Sequence, residues 1–256
     1  MRIVSLCPSL SELVFDLGLV PTAITTWCCH PADRVGAIEK VGGTKDPDVA
    51  RIIELAPDLV LVNEEENRLE DAEALRAAGI AIHNSYPKTV ADTAEMVRSI
   101  AAAAQRPEEG EAIASLIEER ALAASQAAEG HSPVRYAYLI WRKPWMVAGA
   151  DTFVAGQLAI AGGQNVFQGG TSPSERYPAI MADELGSARP DLVLLPDEPF
   201  HFQPKHIAEL SELSGLPRDC FLLADGERLS WHGSRTPSGI DYAAELMESA
   251  HRRASL

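Results

Sequence analysis

The sequence is poor in cysteine, in aromatic side chains and in basic charge, and each shortage excludes something. Four cysteines in 256 residues do not make a disulfide framework. Cys7, Cys28, Cys29 and Cys220 are therefore expected as reduced thiols, and a Cys28–Cys29 bridge would close a strained ring. Lys and Arg number 22 against 37 Asp and Glu, for a formal charge of -15. Without a basic stripe there is no general nucleic-acid surface. No stretch reaches about 18 uninterrupted apolar residues, so neither a transmembrane helix nor membrane insertion is expected. G-x-S-x-G, a Walker loop and H-E-x-x-H are all missing. So are the basic region, apolar region and small-residue cleavage site of a signal peptide. "MRIVSLCPS" runs from Met1 directly into a strand pattern. As written, the chain is expected in the cytoplasm; a form trimmed at its N-terminus would be periplasmic or on the cell surface.

What is present is a large apolar fraction, 46% against 23% charged, enough for a sizeable core in two lobes or one large domain. Short apolar runs alternate with helical patterns. Ile3 to Leu6, "TAITT", "DLVLVN" and "IAIHN" read as strands. "SLSELVFDLGL" reads as a helix with Ser9 as N-cap and Glu12 at N3. "DPDVARIIELAP" reads as one capped by Asp46 with Pro47 at its first position, and "RLEDAEALRAAG" as one ending at Gly79. Such alternation implies an α/β fold with parallel sheets and crossover helices.

The middle differs. After a helical run from Val90 to Ala104, an Ala- and Glu-rich stretch near 107–129 places Ile113, Leu116, Ile117, Ala121 and Ala124 on one helical face. Strands resume at "YAYLIW". The expected organisation is an N-terminal α/β lobe over 1–104, a bridging helix over 105–130 and a C-terminal α/β lobe over 131–256. The halves echo each other. "GGTKDPDVARIIELAPDLVLVNEE" starts at Gly42 and "GGTSPSERYPAIMADELGSARPDLVLLPDEP" at Gly169. Both carry GGT, a helix with Glu-Leu, then Pro-Asp-Leu-Val-Leu and an acidic loop. The ordered match predicts two similar lobes, whose strand carboxyl ends would surround a ligand cleft.

The opening "RIVSLCPSLSELVFDLGL" with "VGGTKDPDVARIIELAPDLVLV" resembles the class III substrate-binding proteins of ABC importers for cobalamin, siderophores and haem, the helical-backbone metal receptors. "KVGGTKDP", "EEN", "WRKPWM", "RYP" and "DGERLSWHGSR" look like a less characterised branch. The resemblance covers nearly the whole chain. It implies two α/β lobes joined by one long helix, non-catalytic binding of a cobalamin-like, haem-like or metal-siderophore ligand, and an ABC importer permease as partner. Cobalamin, haem or a chelated metal would be the ligand.

Several residues could carry that binding. Pro8 and Ser9 close the opening motif. Trp27-Cys28-Cys29-His30 follows the second strand, and alternation puts Cys28 and His30 on one side and Cys29 on the other. Trp27, Tyr86, Trp141, Trp145, Phe200, Phe202 and Trp231 fall at strand ends or in loops, where flat ligands meet aromatic faces. Arg142, Arg176 and Arg235 could hold carboxylates or phosphate, and Glu65 and Glu198 a cation. Two alternatives stay open. One is a transition metal held directly by Cys28 and His30, with Glu198 and His232. The other is a metal-dependent hydrolase using His30, Glu65, Glu198 and His232. The bland readings are core packing for the cysteines and aromatics and solvated loops for the charges.

Overall fold

The computed structural model describes residues 1–170, 172 and 175–254. Its chain divides into two compact units. The first comprises Met1–Pro87, Ala91–Glu118 and Trp231–Arg235; the second comprises Lys88–Val90, Glu119–Ser230 and the chain from Thr236 onward.

In the first unit, β1 (Ile3–Ser5), α1 (Pro8–Asp16), β2 (Ala23–Ile24), β3 (Glu39–Lys40), α2 (Val49–Leu55), β4 (Leu59–Asn63), α3 (Leu69–Ala77) and β5 (Ile82–Ser85) alternate. α4 (Val90–Ala103) and α5 (Pro107–Ala128) follow. The strands form one parallel sheet in the order β3-β2-β1-β4-β5. Strand period two sorts the core: Val4, Leu6, Val60 and Val62 share a cluster with Ile52 and Leu75. Leu10, Leu13 and Val14 on α1, with Leu17 at its C-cap, are buried at helical spacing.

The observed caps differ from those expected. Cys7 is the N-cap of α1 and Pro8 its first residue, so Ser9 lies inside the helix. Asp48, not Asp46, caps α2 by accepting from the Arg51 N–H, because a bridge between Gly42 and Pro47 holds the preceding residues in a turn. The helix expected near 107–129 is α5. It spans 22 residues, about 33 Å at 1.5 Å per residue. Ala114, Ile117 and Ala124 are its buried face, whereas Leu116 is exposed. Arg98 of α4 clamps α5 by hydrogen bonds to both Glu111 and Glu118.

The second unit contains β6 (Val134–Trp141), β7 (Trp145–Val147), α6 (Phe153–Ile160), β8 (Gly163–Asn165), β9 (Ala179–Ile180), α7 (Ala182–Ala188) and β10 (Leu192–Pro196). It is completed by α8 (Pro204–Ser214), β11 (Phe221–Ala224), α9 (Gly226–Ser230) and α10 (Thr236–Ala254). Its sheet runs β11-β10-β6-β7-β9, with β8 beside β6. β11, β10, β6 and β8 are parallel, while β7 pairs antiparallel to β6 and β9. The core lies on both faces. Tyr136, Tyr138, Leu192 and Leu194 pack with α10 residues; Ala137, Leu139, Val193 and Leu195 pack with Leu185 and Leu210. Both Pro-Asp-Leu-Val-Leu segments enter strands, β4 and β10. Thr171 of the second GGT lies outside the described residues.

Candidate functional site

In an open parallel sheet, ligands meet the loops at the strand carboxyl ends, in the crevice where the connections diverge. In the first unit β1 leads toward β2 on one side and β4 toward β5 on the other, so the crevice lies between β1 and β4. Ser9 and Asn63 stand on its two sides, and His232 lies between them. The His232 Nδ1 is 3.3 Å from the Ser9 Oγ, and its Nε2 is 3.0 Å from the Asn63 Nδ2. The Asn63 Oδ1 accepts from the backbone N–H groups of Glu65 at 2.9 Å and Glu66 at 3.3 Å. Asn67 extends the network. Its Nδ2 donates to the carbonyls of Leu6 and Thr44, and its Oδ1 accepts from the Asn63 N–H at 2.8 Å. Two asparagines and one histidine thus stitch the loops after β1, β3 and β4. Gly233, at φ +102°, makes the turn after His232 in a region that side-chain-bearing residues rarely enter. Burial pushes the pKa of His232 down to about 4 and that of the Cys7 thiol up to about 12.

Around this network sit the first unit's expected site residues. Trp27 is 67% exposed on the turn after β2. A Cβ on Gly43 would stand 3.1 Å from the indole Nε1 and 2.2 Å from an Asp46 carboxylate oxygen, so the indole edge lies against bare backbone. Cys28 corrects the alternation argument. The chain turns after Thr25, with the Cys28 N–H bonded to the Thr25 carbonyl. That turn sends Cys28 into a cluster with Phe15, Ile24 and Val35 and leaves Cys29 exposed. The Cys28 Sγ lies 3.0 Å from the Ser11 Oγ and 3.2 Å from the Thr25 Oγ1. His30 is half-buried, its ring edge-on to Trp231 with centroids 5.5 Å apart. Trp231 is buried, and Arg235 lies 5.0 Å from its ring while bonding both Glu12 oxygens. Glu65 and Tyr86 are half-buried after β4 and β5; the Glu65 carbonyl accepts from the Lys45 Nζ at 2.5 Å.

The metal set Cys28, His30, Glu198 and His232 therefore fails. Cys28 faces the core, and both ring nitrogens of His232 are engaged by Ser9 and Asn63. None of the four cysteines forms a disulfide.

In the second unit, aromatic rings gather after β6 and β10. Trp141 is 43% exposed and meets Phe200 edge-on at 5.7 Å. Phe200 meets Phe202 at 4.8 Å, and Phe202 stacks on Trp145 at 6.5 Å. His206 touches both phenylalanines. Its Nδ1 accepts from the Gln203 N–H at 2.9 Å, which leaves the proton on Nε2. Burial lowers its pKa, with Lys205 and Arg142 adding to the effect. A cavity of about 560 Å³ opens here, lined by Arg142, Phe200, His201, Lys205, His206 and Glu209. Glu198 accepts from the Ser230 hydroxyl at 3.1 Å.

The three arginines expected to hold an anionic ligand all carry internal partners. Arg142 is paired with Glu209 at 2.8 Å, which holds that carboxyl below its usual range. Arg235 is paired with Glu12 at 2.6 Å. Arg176 is only 1% exposed, donates to the Asp151 carbonyl at 2.5 Å and lies 3.4 Å from its carboxylate, which also binds Lys88. Sequence reasoning missed Asn63, Asn67 and Glu209. For Asn63 a signal existed, a polar residue closing the apolar run "DLVLVN". Glu209 is one of several helical acids, and nothing singles it out.

The model for the family described as periplasmic binding protein matches residues 3–214. The chain belongs to that family. It is a ligand-binding protein and not an enzyme, which removes the hydrolase alternative built on His30, Glu65, Glu198 and His232. A vitamin B12-binding protein of Vibrio parahaemolyticus is 24% identical over 254 residues, covering 98% of this chain and 91% of the relative. One of Salmonella typhimurium is 23% identical over 194 residues, covering 76% and 71%. Among solved structures, the periplasmic vitamin B12-binding protein BtuF of Vibrio cholerae superposes with a TM-score of 0.83 at 22% identity, covering 98% of this chain and 97% of the other. The periplasmic heme-binding protein BhuT, in complex with two hemes, gives 0.82 at 22% identity, covering 97% and 98%. These likenesses establish the fold.

Proposed function

We propose that the chain binds a broad, flat metal-chelate ligand of the cobalamin or haem type and presents it to an ABC importer permease. The observation that carries this reading is the display of aromatic faces at strand carboxyl ends, Trp27 in one unit and the Trp141–Phe200 pair in the other. Flat ligands bind through such aromatic faces, and strand carboxyl ends are where an open α/β sheet meets its ligand. The relatives' names, vitamin B12-binding and heme-binding, point to the same ligand class. A metal-siderophore is the remaining member of it. Service to an importer places the protein on the outer side of the membrane, and fractionation of the native host tests that placement.

Titration calorimetry with cyanocobalamin and with haemin tests the ligand. Trp27→Ala and Trp141→Ala should each weaken binding by about 2 kcal/mol or more, as for aromatic anchors. Protein from its own host should carry corrin or haem absorption bands. Absence of micromolar binding to either compound, with no visible chromophore, would refute the assignment.

A further inference from the structure

We propose that residues 231–235 form an acid-sensitive latch, docked on the first unit by a neutral His232 and released when that imidazole gains a proton. In sequence the segment lies between α9 and α10, which belong to the second unit, yet it packs within the first.

The lock follows from hydrogen-bond polarity. The Asn63 Oδ1 is committed to two backbone N–H groups, so the side-chain amide cannot flip without losing both. Its Nδ2 must therefore face the ring, and the His232 Nε2 must accept. The ring proton then resides on Nδ1, toward the Ser9 Oγ, which in turn meets the Cys7 Sγ at 3.3 Å. A second proton would set an N–H against the Asn63 N–H, breaking one bond and burying a cation.

The charged and titratable groups on the surrounding elements are identifiable. They include Glu12 and Asp16 on α1, His30 and Arg34 after β2, Lys45 after β3, Glu64, Glu65 and Glu66 after β4, and Tyr86 after β5. Arg235 lies on the segment itself, and Cys7 stays a thiol. Glu12 is neutralised by Arg235, and Asp16 accepts from Ser234 at 2.5 Å. These two contacts hold the edge of the latch: the Arg235 and Glu12 side chains are each 18% exposed, and burial raises the Asp16 carboxyl above its usual range. His232 supplies the buried part.

The latch is independent of the ligand assignment, because its test uses the ligand-free protein. Imidazole nitrogen shifts by NMR should report the Nδ1–H tautomer at pH 7.5. Hydrogen exchange of the 231–235 and 63–67 amides, corrected for the intrinsic pH dependence, should rise at least 10-fold between pH 7 and pH 4, in step with His232 protonation. His232→Gln should abolish that step. Burial raises the Asp16 and Glu66 carboxyls above their usual range, so Asp16→Asn and Glu66→Gln, along with Glu12→Gln, should each keep the step, which separates the imidazole from acid effects on the neighbouring carboxylates. An Nε2–H tautomer would overturn the proposal even if the Gln variant does not fold. So would an acid step unchanged in His232→Gln, or full protection of 231–235 in protein whose His232 is protonated.

Discussion

The two units share a frame and part ways at the end of its central strand. In the first, the Arg2 N–H donates to the Asp58 carboxylate at 2.6 Å and the Asp58 N–H returns to the Arg2 carbonyl. In the second, Arg135 and Asp191 repeat the exchange, with the carboxylate at 2.8 Å. Each arginine also reaches a carbonyl at the end of the preceding helix, Leu55 or Ala188. Each helix stops at a residue of positive φ, Ala56 or Arg189, just before Pro-Asp. Outside this frame the units differ. β1 passes directly into α1, leaving a switch-point crevice that His232 fills. β6 turns through Arg142–Pro144 into the antiparallel β7, and aromatic rings and the Arg142–Glu209 pair occupy that end. The same strand–helix scaffold thus supports a polar, hydrogen-bonded rim in one unit and an aromatic one in the other.

The most disruptive way to break the comparison is at α5, which contributes residues up to Glu118 to the first unit and the rest to the second. Ile117→Pro removes a helix hydrogen bond and clashes with the preceding turn, at about 3 kcal/mol or more, and Ile117 is fully buried. Hydrogen exchange in β4 and β10 should accelerate together. Loss confined to one strand would show that the units fold independently of this helix.

Acid sharpens the contrast. His232 titrates at about 4 in the folded protein against an ordinary 6.5. Its neutral form is favoured by folding, so its contribution is complete above about pH 6.5 and is lost as pH falls toward 4. The shift corresponds to about 3 kcal/mol. Denaturant midpoints across that window should drop in wild type and flatten in His232→Gln, with the loss larger in β4 than in β10.

The smallest effect tests the shared frame. Asp58→Ala and Asp191→Ala should each cost about 1 kcal/mol, as for one exposed charge-assisted bond. Equal shifts in unfolding midpoint support equivalence. A difference beyond about 0.5 kcal/mol would show that the repeated geometry is not energetically repeated.

Much of this was legible from residue order. Alternating strand and helix periods, the doubled Pro-Asp-Leu-Val-Leu and the polar residue ending "DLVLVN" are local signals, because backbone periodicity and burial act on neighbours. They fix which segments become strands, which helix faces are buried and which loops come after the strand ends. Trp27 and Trp141 were identifiable on that basis as exposed rim aromatics. The fate of Cys28 was not, since alternation assumes an extended chain and a single turn after Thr25 reverses which thiol is buried. Nor was the pairing of the arginines, whose partners lie 67 residues away for Arg142, 25 for Arg176 and 223 for Arg235. His232 is the limiting case. Alone it reads as a metal ligand or catalytic base, and only the fold brings it to Ser9 and Asn63, 223 and 169 residues distant. The sequence by itself determined the elements and the residues available at their ends. Tertiary structure decided which of them are engaged within the fold, because a buried polar group must take its partners wherever packing supplies them.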